Sequence, residues 1–179
     1  MSINKIISSC APGIEYIALK AAYNLQHDND YNIQIGGYLG QGFPNDDFIR
    51  YSAQNEKLFF LWGTIETARR ANIIASDGSL IFYYCNIDNE TKVIMSQVSK
   101  MDKKYLCLDI TTPSLVFDIS VFIQENNIEC LNIISNIGIQ WADSAVEKMK
   151  KINDMYNIFE QTIKWTGTLK NEQTINFNF

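Results

Sequence analysis

The sequence predicts a three-layer α/β sandwich: a mainly parallel sheet of five strands, or slightly more, with helices on both faces. Short apolar or β-branched runs alternate five times with longer stretches of helical periodicity, the pattern of repeated βαβ units. The third of those runs is apolar on both faces, as a strand buried between two helix layers requires. At 179 residues the chain fits one domain, 1–179. Residues 166–179 form a C-terminal extension.

The first strand is expected at Lys5-Ile6-Ile7-Ser8-Ser9 and stops at Cys10-Ala11-Pro12-Gly13. A helix follows over 12–26. Ile14, Ile17, Ala18, Ala21, Ala22 and Leu25 recur there at the spacing of one buried face. Pro12 suits its first turn, where a missing N–H costs nothing. The second strand, Ile33-Gln34-Ile35, is expected to be cut by Gly36-Gly37, and 38–60 reads as a long irregular loop. A helix over 64–75 carries Arg69 and Arg70, and Ser76-Asp77-Gly78 turns into the third strand, 79–84.

Next comes a helix over 90–101 with Ile94, Val98 and Met101 inward, then a fourth strand, 105–110. Thr112-Pro113 reads as N-cap and first residue of a helix to Glu125, with Leu115, Ile119, Phe122 and Ile123 inward. The fifth strand is 129–135. A last helix starts near Asp143, with Val146, Met149, Ile152 and Tyr156 at helical spacing. The tail Thr174-Ile175-Asn176-Phe177-Asn178-Phe179 alternates strictly, which fits an edge strand or a contact with another copy.

Composition narrows the function classes. Net charge is −5, and the only arginines are Arg50, Arg69 and Arg70, so no basic face is available to displace counterions from a nucleic-acid duplex. No apolar run reaches the length of a membrane span, and the start lacks a signal-peptide pattern, so a cytoplasmic protein is expected. Four separated cysteines and one histidine, His27 in a polar loop, do not make a metal set. The cysteines are expected as free thiols.

Ligands of open parallel sheets sit at the carboxyl ends of the strands, where strand order reverses. That rule nominates Ser8, Ser9, Cys10 and Gly13 after the first strand, Gly36, Gly37 and Tyr38 after the second, and Tyr84 and Asn86 after the third. Thr111 and Thr112 after the fourth and Ser135 and Asn136 after the fifth complete the rim. Small residues there let a ligand approach the backbone, and aromatic rings could stack on a base. The first segment also sits at a helix N-terminus, where free N–H groups favour an anion. Arg69 could fork onto a phosphate or carboxylate. No G-x-G-x-x-G or P-loop motif occurs.

These residues, taken in order, resemble a family. Lys5-Ile6-Ile7-Ser8-Ser9 running on to Gly13 and Ala21-Ala22 is similar to the opening of the molybdenum-cofactor carrier proteins, K-I-I-S-G-G-Q-T-G-V-D-R-A-A-L-D-A-A. Gly36-Gly37-Tyr38 with Gly40 and Gly42 resembles their G-G-W-x-P-x-G. The stretch from Asn72 through Ser76-Asp77-Gly78 to Leu80-Ile81 resembles N-V-x-x-S-D-A-T-L-I, and Leu131-Asn132-Ile133-Ile134 stands where they have L-N-V-A. The similarity spans residues 5–150. It implies a Rossmann-like fold of the SLOG group, which includes phosphoribohydrolases and nucleotide-sensing domains. It also implies a nucleotide-like ligand, homodimers or higher oligomers, and site roles for Asn72, Ser76 and Asp77. Ser9-Cys10-Ala11-Pro12 replaces the family's G-G-Q-T, and Cys85-Asn86-Ile87-Asp88-Asn89 replaces a glycine-rich turn.

With no acid–base set in view, the expected function is non-catalytic binding, or sequestration, of a nucleotide-like molecule at the strand ends. One alternative is an enzyme cleaving an N-glycosidic bond with Glu15, Glu66 or Asp77 as its carboxylate. The other is an interaction protein that kept the fold and lost the pocket.

Overall fold

A computed structural model describes residues 3–28, 31–41, 58–60, 63–136 and 145–167. Among them, strands β1 (Lys5–Ser8), β2 (Gln34–Leu39), β3 (Leu58–Phe60), β4 (Gly78–Tyr83), β5 (Lys104–Asp109) and β6 (Cys130–Ser135) form one sheet. The spatial order is β3-β2-β1-β6-β4-β5, and every pairing is parallel. The helices are α1 (Ile14–Asp28), α2 (Ile65–Ala75), α3 (Asn89–Lys100), α4 (Leu115–Glu125) and α5 (Ala145–Thr166).

The helices divide between the two faces as alternation along each strand dictates. Leu80, Phe82, Leu131 and Ile133 share one core with α1, α4 and α5. Ile81 and Ile134, one step along, share another with Ile73 of α2 and with Ile94 and Val98 of α3. Phe82 meets Phe159 of α5 edge-on, with centroids 5.6 Å apart. All five described residues from Gly78 to Phe82 are buried, which explains why that strand has no polar face. The molecule is therefore the α/β, Rossmann-like sandwich that the alternation implied.

Four local expectations are corrected. Gly36-Gly37 does not end β2; the strand runs through both glycines to Leu39. The continuation has a cause: β3, placed at Leu58–Phe60 within the supposed loop, pairs with residues 37–39. Thr112-Pro113 does not open α4. Asp109 ties down the intervening turn, accepting from the Thr111 N–H (2.9 Å) and hydroxyl (2.8 Å), so the N-cap falls at Ser114. In α5 Ile152 and Tyr156 pack against the core beside Met155, Phe159 and Ile163, whereas Met149 is 58% exposed. The tail strand expected at 174–179, most of the 166–179 extension and Val146's side chain lie outside the described residues.

The sheet order positions the site. From β1 the chain steps outward to β2 and β3, whereas β4 and β5 lie on the other side. The last strand, β6, fills the space between β1 and β4. Order reverses at β1 and β6, and their carboxyl ends, Ser8 and Ser135, open a crevice.

Candidate functional site

At the carboxyl ends of β1 and β6 the fold buries a carboxylate. Glu15, in the first turn of α1, is 1% exposed. Its Oε1 accepts from Arg69 Nε at 2.9 Å and from the Ser135 N–H at 3.0 Å. Its Oε2 accepts from the Ser9 hydroxyl and, at 3.4 Å, from the Ala11 N–H. Four donors thus meet the roughly four lone-pair positions of one carboxylate. The turn after β1 is shaped around it. Ser8 Oγ accepts from the Cys10 N–H at 3.0 Å, and Cys10 takes a left-handed φ of 58°, uncommon outside glycine.

Arg69 comes from the inner face of α2, where Ala68, Arg69, Asn72 and Ile73 are buried at helical spacing. Besides Glu15, its Nη1 donates to Glu90 Oε1 at 3.2 Å and its Nη2 to the Ser135 carbonyl. Three elements are thereby pinned to one guanidinium, a geometry that a planar fork satisfies and an ammonium does not.

One helical turn on from Arg69, Asn72 extends the sheet where β1 has ended. Its Oδ1 accepts from the Tyr38 N–H at 2.7 Å, and its Nδ2 donates to the Tyr38 carbonyl at 3.0 Å. Gly37 beside it has φ +128°, and a Cβ there would lie 2.5 Å from the Ser8 carbonyl oxygen. Glycine is required at that crossing of β1 and β2.

Above Arg69 lies a cleft of about 210 Å³, bounded by Ala11 and Pro12, by Ile65 and Glu66, and by Glu90, Ser135 and Asn136. Asn136 is held by donation from its Nδ2 to Asp88 and, at 3.1 Å, to Thr91 Oγ1. Asp88 caps α3 and is kept below the usual carboxylate range, chiefly by the Thr91 N–H. Glu66 is also held low, first by the Thr64 hydroxyl and then by its own N–H.

The nominated residues do not all meet. Ser9, Arg69, Ser135 and Asn136 converge on the cleft or its floor. Ser8, Cys10 and Gly13 form the turn beneath it, and Gly36, Gly37, Tyr38 and Asn72 flank it as part of β2 and its helix contact. Tyr84 and Asn86 lie on a separate rim, after β4. Tyr84 there borders a hollow of about 90 Å³ with Ile110 and Lys151, whose Nζ sits 5.2 Å from the ring centroid. Ser76 and Asp77 fall at the opposite, amino end of the sheet. Asp77 Oδ2 accepts from the N–H groups of Glu129 and Cys130, at 3.1 and 2.7 Å, and fixes the entry into β6. Glu90 went unnoticed in the sequence, because a glutamate in a first helical turn reads as a response to the helix dipole.

None of the four cysteines is in a disulfide, and burial pushes the Cys107 and Cys130 thiols up to about 11. Among the described residues no three His, Cys, Asp or Glu side chains are grouped to hold a metal ion. No described helix is long and apolar enough to cross a membrane.

An all-parallel sheet whose strand order reverses at β1 and β6, with helices on both faces, defines a Rossmann-like α/β protein. The chain belongs to the circularly permutated YpsA SLOG family, whose model matches residues 6–136. Among solved structures, the fold is similar to that of a protein titled "Putative molybdenum carrier protein" from Syntrophus aciditrophicus SB. The two share 18% identity over 92% of this chain and 95% of that one, with a TM-score of 0.61. No curated protein sequence matches the chain.

Proposed function

We propose that the protein binds a nucleotide-like or nucleotide-derived small molecule in the cleft at the ends of β1 and β6, and holds it without turning it over. The observation that carries this reading is the cleft's position: it opens where strand order reverses, over a floor of Arg69 and Ser135 already locked in place by Glu15. A pre-organised floor spares the ligand the cost of ordering it. Family membership is in keeping with that position.

The hydrolase alternative loses support from Glu15. A carboxylate whose lone pairs already receive four donors has none left to take a substrate's proton. Asp77 is at the far end of the sheet, spent on backbone N–H groups.

Calorimetry against a panel of nucleosides, nucleoside phosphates and cyclic nucleotides tests the proposal. One molecule should bind per chain and be recovered unchanged, and Ile65→Trp, which fills the mouth, should abolish the heat. A folded sample that binds nothing in the panel, or converts what it binds, overturns it.

A further inference from the structure

Several donors around the cleft are engaged by the protein itself. Arg69 donates through Nε, Nη1 and Nη2 to three protein acceptors. The Ala11 and Ser135 N–H groups point to Glu15, and the Asn136 amide donates to Asp88 and Thr91. Pro12, at the start of α1, has no N–H to offer. The place where a helix N-terminus would receive a phosphate has been filled by the chain's own carboxylate.

Acceptors face the opening instead. Glu66 and Glu90 border it, and Glu90 uses only Oε1 on Arg69, leaving the other oxygen toward solvent. With Glu15 beneath, three carboxylates surround one guanidinium. The volume, about 210 Å³, is below the usual range of about 300–1,000 Å³ for small-molecule sites. It suits a base or a sugar rather than a phosphorylated dinucleotide.

We infer that the cleft takes the uncharged, donor-rich end of its ligand, the nucleoside hydroxyls and amino groups, and excludes phosphate. This rests on the binding reading above and reverses the expectation that the turn after β1 cradles an anion. Hydroxyls or an amine of a nucleoside donate to Glu66 and Glu90. A phosphate would meet and be repelled by those two carboxylates, and the one guanidinium at the cleft is already paired with Glu15 and Glu90.

The test is paired calorimetry at low salt with each of four ribonucleosides, its 5′-monophosphate and inorganic phosphate, on the wild type and on Glu66→Gln and Glu90→Gln. Both substituted side chains lie at the rim, and circular dichroism verifies that the variants fold. The expected result is that a nucleoside binds at least about tenfold more tightly than its monophosphate, a difference of about 1.4 kcal/mol. Inorganic phosphate gives no heat, and either variant narrows the ratio by weakening the nucleoside and relieving the phosphate. A monophosphate that binds as tightly as its nucleoside, or more so, overturns this inference while leaving the binding reading intact. If neither binds, the binding reading falls and this one with it.

Discussion

Arg69 Nε and Glu15 Oε1 are separated by 54 residues along the chain and by 2.9 Å in the fold. With side chains 9% and 1% exposed, they form a desolvated ion pair. Removing one partner strands the other away from water. Glu15→Gln and Arg69→Met should each cost about 3–5 kcal/mol of stability. The double variant should lose clearly less than the two losses combined, because the second change removes the charge that the first left unpaired. Urea denaturation of the four proteins measures this; strict additivity would mean that the two groups do not act as a pair.

Gly37→Ala should destabilise by about 1–3 kcal/mol through backbone conformation alone. It loses more as β1 and β2 are forced apart around the Ser8 carbonyl. Gly63→Ala is a suitable control, since the nearest atom to its Cβ would be at 3.5 Å. Thermal melts of the pair should show a large drop for the first and little change for the second.

The Asp88 cap gives a pH signature. Its carboxyl is held below the ordinary aspartate range, first by the Thr91 N–H. A depressed folded pKa stabilises the protein above the unfolded value, and the gain is lost as pH falls through the folded one. Asp88→Ala should therefore cost about 0.5–2 kcal/mol at neutral pH. The gap between variant and wild type should close as pH falls below 3.8, as denaturation curves at pH 7, 5 and 3 would record.

Cysteine labelling should separate Cys85 from Cys107 and Cys130. Cys85 is exposed, whereas Cys107 and Cys130 are pushed up to about 11 by burial. The thiolate is the reactive form. At pH 8 a disulfide reagent should modify Cys85 first and leave Cys107 and Cys130 largely untouched, their rates climbing only toward pH 11. Raised folded values against 9.0 also mean stability falls between about pH 9 and 11, as the unfolded chain gives up those protons first. Mass mapping after timed labelling decides the order.

Legibility in the sequence followed the range of the interaction. The apolar stripe of α1 was readable because Ile14, Ile17, Ala18, Ala21, Ala22 and Leu25 recur within one element, and all are buried. The same holds for Leu115, Ile119, Phe122 and Ile123 in α4. β2 was cut short because two glycines carry the local signal of a turn. What keeps the strand going, Asn72 on one side and β3 on the other, comes from distant segments. In α5 Ile152 and Tyr156 pack against the core as their spacing suggested, but Met149, on the same repeat, is exposed, because periodicity does not say where along a helix the contact begins.

The site divided along the same line. The strand ends bring Ser9, Ser135 and Asn136 near one another, since topology sets that. Arg69 read as open to an anion, because nothing near it in sequence shows that Glu15 has taken that place. Asp77 and Ser76 follow a helix and precede a strand, so they fall at the sheet's other end.

The position of β6 also bears on how the protein is made. Without residues 130–135 the sheet order leaves two separate half-sheets, β3-β2-β1 and β4-β5, each with a bare inner edge. That one late strand joins both halves and brings Ser135 onto Glu15, so the cleft and the completed sheet both depend on it. A nascent chain stopped at Glu125 would carry the aggregation hazard of two open edges and no cleft at all.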